Sequence, residues 1–458
     1  MRSLPHPAAF ARVSHIAGQR SVHQAFQWLH LHEQQIMRWQ AEMVAIPAPP
    51  FGERARAGWV VERFKELGLE DVHLDAVGNA SGVYPRFKRP NDMYEAEPTG
   101  CILLSAHIDT VFPVTTPINP TIDGQRLTAP GACDNGAGVV ALLALAAALR
   151  HAGIESPHDI LFAGNVGEEG EGDLRGIRHI YQQAREAGVT PIRNAERRPL
   201  DIEAHIVLDG AGHELVVTSA VGSRRYQVTI EGPGGHSWSD AGRPNPIVAM
   251  SQGITRMSQS QSPNSAICTA VDSGAEPPET GRSTRWNVGT IEGGTSVNSI
   301  PQSVSARFDI RSTDPAELTR LEVKLYRAFE DAVLAASAGS TIKRAKLSDG
   351  NLCLAIKKIG DRPTGQLPQT ANILESLHAV DRHLGIRTDE RVASTDANIP
   401  LSLGIEAVSI GAGGEGGATH TTNEWYDARN RTLGLRRILL LLLTLSNSYR
   451  PQLAISAD

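Results

Sequence analysis

The stretch that decides the reading of this chain is Cys101-Ile-Leu-Leu-Ser-Ala-His-Ile-Asp-Thr110. Its first five residues form a run of buried-strand character, and His107 and Asp109 follow where the strand should meet a loop. Residues two apart on an extended chain share a face, so Asp109 can hold the His107 ring from behind while the other ring nitrogen meets a metal. A strand-terminal histidine beside a surface aspartate is the ordinary alternative, and this segment alone does not separate the two.

Four further segments repeat the pattern: Gly131-Ala-Cys-Asp-Asn-Gly136, Asn165-Val-Gly-Glu-Glu169, Ile206-Val-Leu-Asp-Gly210 and Ala418-Thr-His-Thr-Thr422. Asp134 sits among glycines before an apolar helix, as an N-cap or as a carboxylate bridging two metals about 3.5–4 Å apart. Glu168 and Glu169 follow a strand and point to different sides. One can ligate a metal while the other reaches the attacking water as general base; an acidic turn in solvent is the plainer alternative. Asp209 ends a buried run and needs a partner for its charge. His420 lies in a loop after the strand ending at Ile410. Each residue has an ordinary explanation. Their conjunction, each placed after a strand of one sheet, points instead to a two-metal hydrolytic site. Imidazoles mixed with oxygen ligands and no cysteine suit Zn²⁺, with Mn²⁺ or Co²⁺ as substitutes.

The pattern along the chain supplies that sheet. Strand signals at 101–105, 159–163, 205–209 and 407–410 alternate with helix signals at 139–149, 370–384 and beyond Asp427, which predicts an α/β class with a mixed sheet flanked by helices. Residues 1–25 lack a sustained pattern and are expected to form an N-terminal arm. From Ala25 to Leu69 helical spacing is broken only at Pro47-Ala-Pro-Pro50, which predicts two helices joined by a loop. Between 222 and 347 the order becomes β-α-β-β-α-β, ending in a strand at 341–347, the ferredoxin-like α+β arrangement. The expectation is a catalytic domain in two parts, 26–221 and 348–458, interrupted by a smaller domain at 222–347.

Bulk properties narrow the function. A chain of 458 residues exceeds one compact core. A net charge of −6 argues against a nucleic-acid partner. Cys101, Cys133, Cys268 and Cys353 have no CxxC spacing and read as reduced, mostly buried thiols of a cytoplasmic protein. The first ten residues contain no unbroken apolar run, so a signal peptide is not expected. The apolar run from Ile438 to Leu443 is far short of the ~18 residues of a membrane span. Gly411-Ala-Gly-Gly-Glu-Gly416 fits GxGxxG formally, but no amphipathic helix follows it.

The metal-ligand set resembles the zinc exopeptidase and deacylase family of aminoacylase, succinyl-diaminopimelate desuccinylase, glutamate carboxypeptidases and peptidase T, over roughly residues 30–445. The resemblance implies a zinc-exopeptidase-like catalytic domain and an inserted lid that also dimerises. It also implies two Zn²⁺ per subunit: His107 and Asp209 on one, Glu169 and His420 on the other, and Asp134 between them. Glu168 would be the base and Asp109 the support of His107. In Gly232-Pro-Gly-Gly-His-Ser237, His236 resembles the lid histidine that polarises the scissile carbonyl of a partner subunit. Asn298, in Ser296-Val-Asn-Ser-Ile-Pro301, and Arg311, in Arg307-Phe-Asp-Ile-Arg311, resemble substrate-binding residues. The segment Asp134-Asn-Gly-Ala-Gly138 departs from the pattern, since many members carry a lysine there. The implied activity is hydrolysis of an amide bond in small peptides, as by a di- or tripeptide exopeptidase; removal of acetyl or succinyl from an N-acyl amino acid is the alternative. A metal-poor binding protein would lack a ligand or the base, and none is missing.

Overall fold

The computed structural model describes residues 7–87, 100–186, 201–259, 265–267, 284–337 and 351–448. The chain divides into two compact units, Met1–Ala220 with Gly365–Asp458, and Val221–Thr364.

The first unit opens with helices α1 (Pro7–Ala17), α2 (Arg20–Leu31), α3 (Glu33–Val44) and α4 (Arg54–Glu66). This corrects the expected arm over residues 7–25; the first six residues of that expectation lie outside the described residues. Helix α1 buries Ala9, Val13, Ile16 and Ala17, and α2 buries Val22, Ala25, Trp28 and Leu29, all within the main core. These positions follow helical spacing. The stripe is built partly from alanine, which carries little hydrophobic signal in sequence. The predicted loop at Pro47–Pro50 does separate α3 from α4.

Strands β1 (Glu70–Leu74), β2 (Ala80–Tyr84) and β3 (Gly100–His107) follow, then the short β4 (Thr121–Asp123) and β5 (Arg126–Thr128). Helix α5 (Gly136–His151), strand β6 (Asp159–Asn165), helix α6 (Arg175–Glu186) and strands β7 (Asp201–Leu208) and β8 (Leu215–Ala220) complete this part. The parallel centre of the sheet contains β3, flanked by β6 and β7. Every residue of β3 and β6 is buried, as expected of strands covered on both faces. Alternation sorts their side chains. Ile102, Leu104 and Ala106 join the main core, while Cys101 and Leu103 pack in a second cluster with Ile177, Ile180 and Tyr181 of α6.

The second unit comprises β9 (Gly222–Glu231), β10 (Gly235–His236), α7 (Pro246–Gln259), β11 (Ser265–Ile267), β12 (Thr284–Gly293), β13 (Ser299–Ile300), β14 (Ser303–Ser312), α8 (Pro315–Ala336) and β15 (Cys353–Arg362). Its main sheet runs β11-β12-β14-β9-β15. The last four of these strands are antiparallel neighbours, the ferredoxin-like order with α7 and α8 as the two helices. The strand expected at 341–347 lies outside the described residues. The sheet is closed by β15 instead, and the second junction falls at Thr364 rather than residue 347.

The chain re-enters the first unit through β16 (Gly365–Gln366), α9 (Asn372–Leu384), β17 (Asp389–Ala393), α10 (Asn398–Ser402) and β18 (Glu406–Ile410). Strand β18 extends the parallel centre beside β7, and antiparallel neighbours on both sides make the sheet mixed. A hairpin of β19 (Glu415–Gly417) and β20 (Trp425–Asp427) precedes the buried helix α11 (Arg431–Ser448). No helix among the described residues is long and apolar enough to cross a membrane. Cys101 and Cys133 are buried and Cys353 is exposed; Cys268 lies outside the described residues.

Because α1 is part of the core, Ile16→Ala should destabilise the first unit by about 2–5 kcal/mol. Urea unfolding checks this: a loosely held arm would leave the midpoint unchanged.

Candidate metal centre

Four parallel strands deliver the site to one edge of the sheet. His107 ends β3, Glu168 and Glu169 follow β6, and Asp209 follows β7, its N–H donating to the Ile410 carbonyl of β18 at 3.0 Å. Carboxyl ends of parallel strands are where α/β folds place ligands. His420 arrives differently. It sits at the tip of the β19–β20 hairpin, and β20 pairs with β5 so that Trp425 faces Thr128, a few residues before Asp134.

Asp134 stands at the centre. Its Oδ1 lies 3.1 Å from His107 Nε2, and its Oδ2 lies 3.1 Å from His420 Nε2. Asp209 Oδ1 is 3.8 Å from His107 Nε2, and Glu169 Oε1 is 3.0 Å from His420 Nε2. Two trios thus share one carboxylate: His107 with Asp209, and His420 with Glu169. His107, Asp134 and Glu169 each turn a ligand atom into a common space. Asp134 Oδ1 is buried and faces His107 Nε2. Two imidazoles, three carboxylates and no thiolate fit borderline-hard divalent ions.

The charges agree with this donor chemistry. His420 is pushed up to about 10 by its bonds to Asp134 and Glu169. Burial works against a charged His107, but Asp109, Asp134 and Asp209 outweigh it and raise the ring well above its usual value. Burial likewise opposes charge on Asp134, yet the two histidines hold its carboxyl well below the usual range. In the metal-free protein, protonated imidazoles supply the positive charge that these carboxylates require.

Asp109 acts in more ways than its position suggests. The His107 Nδ1 contact is to the Asp109 backbone carbonyl at 3.1 Å, with Oδ1 at 3.7 Å. The carboxylate accepts the N–H groups of Glu168 and Glu169 at 3.0 and 2.8 Å. One residue therefore orients His107 and fixes the turn that carries both glutamates. Glu168 is buried beside it.

Several supporting residues are not singled out by sequence. Glu424 is fully buried and accepts N–H bonds from Gly131, Cys133 and Asp134 at 2.7–3.1 Å. The Asn135 side chain caps α5 at Gly138 N–H, accepts Gly210 N–H and donates to the Leu208 carbonyl, tying the Asp134 turn to β7. Arg56 donates to the Ile46 and Ile108 carbonyls and so supports the loop after His107. Asp396 accepts from Asn165, the register partner of His107, and burial pushes it up to about 6. Of these, only Asn135 lies within one of the five quoted segments, and Glu424 falls two residues past the last. A side chain at Gly136 would meet the Gly131 carbonyl at 2.6 Å.

His236, Asn298 and Arg311 lie on the second unit. Pairing of β10 with β13 sets His236 against Ser299, and Ser237 N–H donates to the Asn298 carbonyl at 3.0 Å, so His236 and Asn298 share one exposed tip. His236 Nδ1 accepts N–H groups of Trp238 and Ser239 at 3.2 and 3.3 Å, which leaves the ring proton on Nε2. Arg311 is elsewhere. It pairs with Asp309 Oδ2 at 2.6 Å and stands opposite Ser223, whereas Ser303, eight residues back along β14, stands opposite Glu231 near the tip. That interval spans ~26 Å at strand rise.

The sequence profile of peptidase family M20/M25/M40 matches residues 103–444. The chain belongs to this family. It is a metallopeptidase-class hydrolase of peptide or amide bonds, in a family that includes dinuclear metal-binding peptidases. Its fold is shared with a tripeptidase from Staphylococcus aureus (TM-score 0.66, 20% identity, 91% of this chain and 99% of that one). Aminopeptidase PepT from Bacillus cereus is similar too (TM-score 0.64, 19% identity, 90% and 99%). A Pyrococcus abyssi protein described as a LysW-lysine/LysW-ornithine hydrolase is 33% identical over 134 residues, which is 29% of this chain and 33% of that relative. The match thus spans about a third of the curated relative's length.

Metal binding to this M20 site should release protons, because both histidines hold one below their raised values and must give it up to coordinate. Affinity should therefore rise with pH up to about 10. Titration calorimetry in buffers of different ionisation enthalpy measures the protons released; a pH-independent affinity would contradict the pairing described.

Proposed function

We propose that this chain is a two-zinc exopeptidase acting on di- or tripeptides, with Mn²⁺ or Co²⁺ able to substitute. The observation that carries the two-metal reading is the Asp134 carboxylate, each oxygen of which faces a different histidine. His107, Asp134 and Asp209 would hold one ion, and His420, Asp134 and Glu169 the other. The bound pair supplies Lewis acidity and lowers the pKa of its water. Glu168 would take a proton from the water that attacks the carbonyl carbon and would deliver it to the amine as the C–N bond breaks. Asp109 keeps Glu168 and Glu169 pointing to their separate tasks through the two amide bonds it accepts.

His236 donates its Nε2–H to the carbonyl oxygen, where negative charge develops. Asn298 beside it binds the substrate, and the Arg311 fork binds the terminal carboxylate. The ~26 Å along β14 argues that these groups serve two different sites. The resemblance implies that the His236 tip serves the site of a second copy, in which case the working enzyme would be a homodimer built through the second unit. Four cysteines without CxxC spacing favour a cytoplasmic location.

The fold shared with a tripeptidase and an aminopeptidase over nine-tenths of the chain supports peptide substrates. The Pyrococcus relative favours a second reading, N-acyl amino acid deacylation, because each of its named substrates ends in a single amino acid. A hydrolysis panel of free dipeptides, tripeptides and N-acyl amino acids, run with added Zn²⁺, Mn²⁺ or Co²⁺, separates the two. Cleavage of free peptides alone supports the exopeptidase; cleavage of blocked substrates alone replaces it with the deacylase.

Glu168→Gln should retain metal and fold but lose about 100- to 10,000-fold in kcat. Metal content and kcat measured on one preparation check this, and a nearly fully active variant removes Glu168 as the base.

A further inference from the structure

The tip that carries His236 and Asn298 also carries two apolar side chains that the reaction leaves unused. Trp238 is 86% exposed and Val297 is fully exposed. They flank the proposed reacting groups: Trp238 lies two residues after His236, and Val297 immediately precedes Asn298. The segments are held together by the β10–β13 pairing and the Ser237–Asn298 backbone bond.

This tip is also locally fixed. Asp240 Oδ2 accepts the His236 N–H at 2.8 Å, and Asp240 N–H donates to the His236 carbonyl at 2.9 Å. Arg243 pairs with Asp240 at 2.9 Å and donates to the Gly234 carbonyl at 3.0 Å. Trp238 N–H itself donates to His236 Nδ1. The bond that sets the His236 tautomer thus also fixes the Trp238 backbone from which the indole projects. If His236 Nε2 reaches a scissile carbonyl, Trp238 and Val297 are carried to the substrate with it.

We propose that Trp238 and Val297 form an apolar wall over the substrate side chain adjoining the scissile amide, making the enzyme selective for hydrophobic residues there. The proposal rests on the reading that the His236 tip enters an active site. An indole offers a broad, rigid apolar face, and covering it against an apolar side chain removes both from water. A glycine substrate gains nothing from such a wall.

The test is a matched series of the peptides or N-acyl amino acids that the panel shows to be cleaved, differing only in leucine, phenylalanine, alanine or glycine beside the scissile bond. It is assayed with the wild type, Trp238→Ala, Trp238→Phe, Val297→Ser and His236→Ala. Both wall residues are exposed, so their truncation leaves the core intact. Trp238→Ala should lower kcat/KM for leucine and phenylalanine substrates by about 10- to 100-fold, and for glycine by less than about twofold. Val297→Ser should show the same preference more weakly, and Trp238→Phe should restore most of it. Equal loss on every substrate, or no loss on any, overturns the wall. His236→Ala tests the underlying reading separately: it should depress all substrates alike, and unimpaired hydrolysis would remove the tip from the active site altogether.

Discussion

The structure of the first unit is organised around a concentration of like charge. Asp134, Glu169 and Asp209 converge on two imidazoles, with Asp109, Glu168, Asp396 and Glu424 close behind. Carboxylates brought together and withdrawn from water repel one another and lose hydration, so such a cluster persists only if positive charge or directed donors offset it. The raised His107 and His420 are the response of the metal-free protein: the imidazoles hold protons that a pair of divalent ions would replace. The same arrangement explains why Asp134 is central. A carboxylate with one oxygen turned to each histidine is the group through which two cations can share one charge.

What offsets the remaining carboxylates matters as much as what fills the centre. Asp109 and Glu424 together accept five backbone N–H groups. Amides satisfy a buried carboxylate without bringing in a mobile cation that would compete with the metals. Arg56 fits the same economy, since its guanidinium donates to the carbonyls of Val44, Ile46 and Ile108. The loop at Pro47–Pro50, a helix break in sequence terms, thereby becomes structural support: Ala48 offers its carbonyl to Thr110 N–H, and Ile46 receives Arg56.

Legibility follows from these physics. Ligands placed after buried parallel strands are visible because hydrophobic runs announce the strands and the ligands interrupt them. His107, Asp209 and the Glu168–Glu169 pair are of this kind. Glu424 is invisible for the opposite reason: its partners are amides of a turn some 290 residues earlier, and amides leave no trace in sequence. Helices α1 and α2 are masked because alanine makes up part of their buried stripe. The edge strand β15 is missed because it is mostly exposed or half-buried, so its alternation is between exposed and half-buried residues and the contrast is weak. Arg311 is legible as a motif but not as a location, which depends on the β14–β9 register.

The two units answer to different constraints. In the first, removing one carboxylate or imidazole upsets a charge balance shared by all the others, so residue identity at the metal centre is tightly determined and readable. In the second, the tip with His236 and Asn298 is held chiefly by backbone bonds among residues 235–240 and 298–300. Trp238 and Val297 project from it into solvent, and substitutions at these two positions can alter its surface without disturbing its shape. On the proposed reading, variation in the exposed residues of the second unit would let one hydrolytic centre serve many amides. This difference between the units also explains why the five metal-ligand segments specify the reaction class while the substrate depends on residues that local sequence pattern leaves undetermined.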